Sequence, residues 1–555
     1  MNGAQAILKT LIRHGVTHTF GYPGGGIVTV FDAHLDHKEK IKNILMRHEQ
    51  CAAHAADGFA RATGRPGVCI ATSGPGASNL VTGMLTAWMD SSPMIAMAGQ
   101  VSFRLIGHEA FQEADMVDIA LHTCKKDFQV TDPDQIFTTL NEAFRLSTQG
   151  RPGPVYIDLT KEAQTGKVTQ KLPRKVPKNL PVFEDQEDEV LEVANLISKS
   201  SQPLILIGGG IIHSNASREL LKFANATRIP VVRTLMAKGA FPDSSPLSLG
   251  KAGLYGTKTA NYAVNRTDLV IAIGCRFSDR TAPDPNHFAP NATIVHIDAD
   301  RSEMRKNIQH DVGIVGDARL VLKRLNAVVR ERGIKKGNDA WVKKLRALRQ
   351  KETSEDINID SEPIAYKRVF HELRKVIRDT DIVVTGVGCH QVMAEHYIGR
   401  EYPRTFITSG GEGTMGFGLP ASIGVKVGRP DVEVFNIDGD GSIQMTLQEL
   451  AVLSYEKIKV INIVCKNEYL GMVRQWQELE YGKDRYSSVH LGPMPDFVKL
   501  AEAYGVNGFR ATRASEIGTC LEKAIQSEES SIIEIPISKE ENYLPTPLRI
   551  SEDDF

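Results

Sequence analysis

The sequence lacks an excess of charge of either sign. Lys and Arg number 66 and Asp and Glu 67, a net charge of −1 over 555 residues. There is no electrostatic footprint for nucleic acid or for an anionic membrane surface. Long apolar runs are also missing. None approaches the ~18 residues of a membrane span. The opening MNGAQAILKTLIRHGV lacks the charged-then-apolar pattern of a secretory signal and reads as an amphipathic helix. Cysteines number seven, with no CxxC pair. Scattered, odd-numbered thiols inside apolar runs suit a reducing, cytoplasmic compartment and exclude a disulfide framework. No short-period repeat is present. With 41% apolar and 24% charged residues, a disordered or fibrous chain is ruled out.

What the chain does have is clustered glycine. Short apolar runs end in Gly, Asp or Asn and alternate with longer helical patterns: GVCIATSGPGA (67–77), PLILIGGG (203–210), DLVIAIGCR (268–276), TIVHIDAD (293–300), DIVVTGVG (381–388), VEVFNIDGDGS (432–442) and KVINIVCKN (459–467). Unalternated β-branched runs suit strands covered on both faces, hence parallel sheets with crossover helices. The length predicts three to four domains. Residues 165–190, with three prolines and mixed charge, and 331–363, charged and poor in β-branched residues, read as linkers. The expectation is an α/β chain of three doubly wound parallel-sheet domains, at 1–165, 185–330 and 363–555.

The strongest chemical signal is the run from VEVFNI into Asp438-Gly439-Asp440-Gly441-Ser442. Glycines opening a helix let backbone N–H groups approach a phosphate. Asp440 at a strand end suits a hard divalent cation. The next strand ends 27 residues later in Asn467, about one crossover away. One carboxylate and one amide oxygen at a sheet edge fit the habit of Mg²⁺, which takes few protein oxygens and completes its shell with phosphate. A rival lies upstream. Gly411–Gly416 matches GxGxxG, and Asp438 follows 22 residues later, where a ribose-binding acid of a dinucleotide site would stand. Against it, Pro420 interrupts the helix expected next. In the first block, Phe20–Gly26 ends a strand, and Glu49 opens an Ala-rich helix. Glu49 reads either as a helix N-terminal charge or as a desolvated acid able to trade a proton with a ring nitrogen.

Together RHEQ (47–50), TSGPGASN (72–79), AFQEAD (110–115), GTMGFGLP (413–420), GDGS (439–442) and KNEYLGMVRQWQEL (466–479) resemble the thiamine-diphosphate enzymes, specifically the catalytic subunits of acetohydroxyacid (acetolactate) synthases. The resemblance runs from about residue 3 to 545. It implies thiamine diphosphate, Mg²⁺ and FAD as cofactors and 2-keto acids as substrates. It also implies a homodimer or homotetramer and, in some members, a small regulatory subunit. Glu49 would exchange a proton with the aminopyrimidine ring. Asp440, Asn467 and the carbonyl of Tyr469 would bind Mg²⁺. Cys389, His390, Gly439, Gly441 and Ser442 would surround the diphosphate. Met415 would bend the cofactor, and Gly25 and Gln112 would line the reacting centre. Trp476, helped by Met472, would select the second keto acid, and Arg280 would pair with its carboxylate. Alone, Trp476 would read as core and Arg280 as a surface ion. Flavin contacts would fall on Arg151, Gly208, Gly209, Gly210, Thr234, Leu235, Gly253, Arg276, Asp298, Gly316 and Asp317. The triple glycine also reads as a tight βα turn.

Several residues depart from the family pattern. Glu412 stands for Leu, Cys389 for Gln, Lys466 for Asn, Ser278 for Asp, and Leu254-Tyr255 for Met-His. A buried Glu412 would need a partner or a proton. Another decarboxylase, oxidase or carboligase of the superfamily is the alternative activity. A nicotinamide dehydrogenase built on Gly411–Gly416 is a third reading.

Overall fold

The computed structural model describes residues 1–173, 181–183, 186–334, 339–354 and 356–555. Parts of both expected linkers, and the residue at which the central domain was expected to begin, lie outside these. Three six-stranded sheets form the frame. The first holds β1 (His18–Gly21), β2 (Lys42–Leu45), β3 (Gly67–Ala71), β4 (Met94–Gly99), β5 (Lys126–Val130) and β6 (Pro154–Leu159) in the order β2-β1-β3-β4-β6-β5. The second holds β7 (Pro203–Ile207), β8 (Val231–Arg233), β9 (Ser248–Lys251), β10 (Leu269–Ile273), β11 (Thr293–Asp298) and β12 (Val312–Val315) in the order β12-β11-β10-β7-β8-β9. The third holds β13 (Ile382–Thr385), β14 (Phe406–Ile407), β15 (Val434–Gly439), β16 (Ile461–Lys466), β17 (Asn507–Arg510) and β18 (Ser531–Pro536) in the order β14-β13-β15-β16-β18-β17. Every pairing between these strands is parallel.

The apolar runs dictate this. All six residues of β4 and of β6 are buried, as are all five of β7 and of β10. A strand with two buried faces needs helices on both sides, and crossover helices supply them. The first and third sheets share one order, 2-1-3-4-6-5 in local numbering. The second has the Rossmann order 3-2-1-4-5-6. In each, the order reverses between two neighbouring strands, and ligands of such sheets bind beyond the carboxyl ends at that point.

The first and third domains meet through two helices of small residues, Glu49–Thr63 and Gly418–Gly428. A Cβ on Gly58 would lie 2.2 Å from the Ala421 carbonyl oxygen, and one on Gly424 1.8 Å from that of Ala55. Only glycine permits this approach. Two expectations need correction here. Pro420 does not interrupt a helix; it sits in the first turn, where its missing N–H costs nothing. Residues 331–363 are not linker throughout. Asp339–Thr353 is a 15-residue helix that buries Trp341, Val342, Leu345 and Leu348 against the middle domain. Its remaining faces are charged, which hid the stripe.

All seven cysteines are free and buried. Among the described residues no helix is long and apolar enough to cross a membrane.

Candidate functional site

The three reversal points carry the segments singled out in the sequence. In the third domain the reversal lies between β13 and β15. Beyond β13 the chain turns through Gly386-Val387-Gly388 into the Cys389–Tyr397 helix, so Cys389 and His390 stand in its first turn. Beyond β15 comes the Gly439–Ser442 turn. The Asp440 carboxylate accepts three backbone N–H groups: Asn467 at 3.0 Å and Glu468 at 2.6 Å on Oδ2, and Gly441 at 3.0 Å on Oδ1. Burial raises its pKa to about 6, against the pull of those donors. Asn467 is held in the same turn, its Oδ1 accepting from the Tyr469 N–H at 3.1 Å. Asp440, Asn467 and the Tyr469 backbone are therefore brought together.

Next to them the Gly416 N–H donates to Ser442 Oγ at 3.1 Å, and Thr446 donates to the Gly416 carbonyl at 3.1 Å. These bonds fasten the Met415 loop to the Gly439–Ser442 turn. A Cβ on Gly441 would lie 3.1 Å from Leu470 and Leu491 and 3.7 Å from Met415 Cε; one on Gly439 would lie 2.9 Å from His390 Nδ1. The turn is a cradle that side chains would fill. His390 is neutral, burial pushing it down to about 3; its Nε2 lies 3.5 Å from Asp438 Oδ1, and its Nδ1 faces Gly439. Bare backbone beside a neutral imidazole fits a polar ligand. Among the described residues no three His, Cys, Asp or Glu converge as a metal cluster. A cation here would draw on one carboxylate, one amide and a backbone carbonyl, and the rest of its shell would come from ligand or water. That is a set for Mg²⁺ rather than for a transition metal.

The dinucleotide reading of Gly411–Gly416 does not survive this geometry. The N–H groups of Gly410 and Gly411 are already capped by Asp90 of the first domain, at 3.0 and 2.7 Å. Asp90 also pairs with Arg61 at 2.9 Å, and Arg61 grips Asp57 through two 2.7 Å bonds. Asp438 lies fully buried, where burial holds its pKa up at about 7, and its oxygens crowd Gly386 and Gly418 rather than facing a ribose. Asp90 and Arg61 carry no motif, and no spacing pointed to them.

The middle domain reverses between β7 and β10. There Gly208-Gly209-Gly210 and Gly274-Cys275-Arg276 border a cavity of about 1260 Å³. Thr234, Leu235, Arg276, Asp298, Gly316, Asp317 and Arg151 line it too. Burial lifts the Asp298 carboxyl to about 6, while Asp317 caps the Ala318–Glu331 helix. Arg151 bridges domains, donating to Ser91 at 2.8 Å and the Trp88 carbonyl at 3.0 Å and pairing with Glu303 at 3.2 Å. Gly253 stands between Ala252 and Leu254, which line this cavity; the place of its missing Cβ is taken by the Arg280 carbonyl, and it also borders a small pocket of about 70 Å³. The cavity runs on to Gly388, Glu412, Met415, Arg280, Met472 and Trp476. Glu412 is exposed, not buried, so it needs no compensating partner.

Glu49, Gly25 and Gln112 are not at this cavity. They gather at the reversal point of the first domain, between β1 and β3. The helix cap there is His48, whose Nδ1 accepts from the Gln50 N–H at 3.1 Å. The Glu49 side chain is free of capping duty and accepts from Asn79 at 3.0 Å. The 72–79 turn joins the group: Thr72 accepts from the Gly26 N–H at 3.1 Å, and the Gln112 backbone packs on Gly74. A Cβ on Gly25 would meet open space. One chain therefore carries two separate half-sites.

Thiamine pyrophosphate enzyme models match in three parts: the N-terminal TPP binding domain over residues 1–119, the central domain over 190–325 and the C-terminal TPP binding domain over 386–535. The chain is 47% identical over 552 residues to a probable acetolactate synthase large subunit of Methanocaldococcus jannaschii, covering 98% of this chain and 93% of that one. It is 42% identical over 543 residues to the acetolactate synthase large subunit of Corynebacterium glutamicum, covering 96% and 86%. It is 39% identical over 563 residues to that of Buchnera aphidicola, covering 99% and 97%. With three thiamine pyrophosphate domains in order and relatives matched over nearly their whole length, the chain belongs to the thiamine pyrophosphate enzymes, in the family of the acetolactate synthase large subunits.

Proposed function

We propose that the protein is an acetolactate synthase. It decarboxylates pyruvate and joins the two-carbon unit to a second 2-keto acid, pyruvate or 2-ketobutyrate, at the start of branched-chain amino-acid synthesis. The observation that carries this reading is the Asp440–Asn467 pair at a strand-order reversal, in a turn that the Gly416–Ser442 bond fastens to the loop of Met415, a residue that lines one cavity with Met472 and Trp476.

Thiamine diphosphate, when bound, supplies the electron sink that lets a 2-keto acid lose CO₂. Asp440, Asn467 and the Tyr469 carbonyl would hold its Mg²⁺. The backbone at Gly439 and Gly441, with Ser442, Cys389 and His390, would take the diphosphate. Met415, in a loop fastened by Ser442 and Thr446, would shape the bed beneath the cofactor. Glu49 would exchange a proton with the cofactor ring nitrogen, and Asn79 fixes the direction of its carboxyl. Gly25 and Gln112 line the reacting centre. Arg280 takes the carboxylate of the acceptor, and Trp476 with Met472 packs on its alkyl end. Apolar walls exclude water and strengthen every charge contact inside.

Glu49 stands at the reversal of the first sheet and Asp440 at that of the third, so we infer that a partner subunit provides the acid and that the dimer is the smallest active form. In the single chain Phe103, Leu105, Phe111, Ile119 and Leu121 stand exposed around Gln112, apolar surface that a second copy would cover. The glycine-lined cavity has the size and the bare backbone for FAD, held by Gly208–Gly210, Thr234, Leu235, Arg276, Asp298, Gly316, Asp317 and Arg151. Since the relatives are named large subunits, a small regulatory subunit belongs to the same proposal.

The test is acetolactate formation from pyruvate with thiamine diphosphate and Mg²⁺. Wild type should form it, and Glu49→Gln should not. Acetaldehyde or peroxide as the sole product, or full activity in Glu49→Gln, would overturn the reading.

A further inference from the structure

Between β9 and the Lys258–Arg266 helix, residues 251–256 form a tight loop. The Thr257 N–H closes on the Lys251 carbonyl at 2.8 Å and the Gly256 N–H on the Gly253 carbonyl at 2.9 Å. Asn261 brackets Gly253 from both sides, accepting from its N–H at 2.8 Å and donating to its carbonyl at 3.2 Å. The loop touches both elements that the proposed function gives to the acceptor acid. On one side the Leu254 N–H donates to the Arg280 carbonyl at 2.9 Å. On the other, the Tyr255 hydroxyl donates to Met472 Sδ at 3.3 Å and accepts from Gln475 Nε2 at 3.4 Å. The Tyr255 ring meets Trp476 edge-on, with centroids 6.4 Å apart at 77°.

Tyr255 is 6% exposed and holds φ +56°. A bulky residue in the left-handed region is uncommon, and such positions persist where surrounding contacts over-determine them. Here the contacts are those of the Gly471–Tyr481 helix, with the Tyr543 ring beside them at 6.1 Å and 37°. Trp476 itself is only half-buried and has no hydrogen bond to fix it; its neighbours Met472 and Gln475 are what the phenol grips. Burial pushes that phenol up to about 12, so it stays a neutral donor at any working pH.

We propose that Tyr255 is a specificity-positioning residue: by tying the Met472–Trp476 helix to the loop that holds Arg280, it sets the width of the slot that measures the alkyl group of the acceptor. It acts through Trp476 and Met472 and takes no proton. The inference rests on the acetolactate synthase reading.

The test gives the enzyme pyruvate and 2-ketobutyrate together and measures the ratio of the two acetohydroxy acids formed. One methylene in an apolar pocket is worth about 10–200-fold in selection, so a loosened slot loses a measurable part of it. Tyr255→Phe should shift the ratio toward acetolactate by about threefold or more, while the rate on pyruvate alone falls less. A second readout needs no activity. Acrylamide quenching of the Trp476 component, identified against Trp476→Phe, should rise in cofactor-free Tyr255→Phe. If Tyr255→Phe does not fold, Gln475→Leu removes the other partner of the hydroxyl and should move the ratio the same way. An unchanged ratio in the folded variant overturns the inference, whatever the quenching does. If wild type forms neither product, the acetolactate synthase reading has failed first, and unchanged quenching would then also remove the Tyr255 tether.

Discussion

Glu49 and Asp440 are both buried carboxyls, and their neighbours separate them. Asp440 collects three backbone N–H groups in a glycine turn, whereas Glu49 has one amide, Asn79, and capping is left to His48. A site acid with so little else to do is free to exchange a proton. Glu49→Gln should cut turnover by about 10²–10⁴-fold, the usual worth of acid–base catalysis, while thiamine diphosphate binding, read by calorimetry, persists. A third buried acid reports on stability instead. Asp158 in β6 accepts from Gln100, Gln129 and Tyr156, and burial lifts its pKa to about 6. Its folded pKa lies above the unfolded value. Its contribution is therefore fully present below about pH 4 and is lost as pH rises through 6, on the order of 3 kcal/mol by linkage. Asp158→Asn should flatten that part of the denaturation midpoint plotted against pH. At this scale much of the site was legible. Asp440 and Asn467 stand at strand ends whose residue type and spacing suggest a cation, whereas the part given to Met415 came from the family resemblance alone. Tyr255 and Asp90 act through contacts 217 and more than 300 residues away in sequence, which no local pattern holds.

Between elements, the joints are buried ions rather than apolar seams alone. Asp90 ends the Val81–Met89 helix and fixes Gly410 and Gly411, so the first domain positions the Met415 loop of the third. Asp90→Ala leaves Arg61 and two N–H groups without this anion. Breaking a buried pair in this way costs about 3–5 kcal/mol, so the melting temperature should fall and thiamine diphosphate affinity with it. A second joint ties the middle domain to the Cys389–Tyr397 helix. Glu395 pairs with Arg233 and with Lys251 at 3.1 Å, and these cations hold its carboxyl far below the usual range despite its burial. Glu395→Gln should destabilise by a similar amount, about 3–5 kcal/mol, measured by urea unfolding. The strands were legible because two-sided burial writes continuous apolar runs. The Asp339–Thr353 helix was not, since only Trp341, Val342, Leu345 and Leu348 face inward and its other residues look like linker.

Across the molecule, two sheets of one order flank a third of Rossmann order in the chain, and each reversal point carries one feature of the proposed site: the Glu49 acid, the glycine-lined cavity and the Asp440–Asn467 turn. The shared order of the first and third sheets could not be read from the sequence, because strand order is set by crossovers whose direction leaves no local trace. In the single chain Glu49 stands at the reversal of the first sheet, Asp440 at that of the third, and the cavity of Met415, Met472 and Trp476 is not lined by Glu49, Gly25 or Gln112. The account therefore needs two chains per site. The most direct measurement co-expresses differently tagged Glu49→Gln and Asp440→Asn chains, each inactive alone, and isolates the mixed population. If the acid of one subunit serves the cofactor bed of its partner, each mixed dimer holds one intact site. The isolated mixed dimers should then restore about half of wild-type acetolactate formation. Mixed dimers that form and yet make no more acetolactate than either variant would contradict the account.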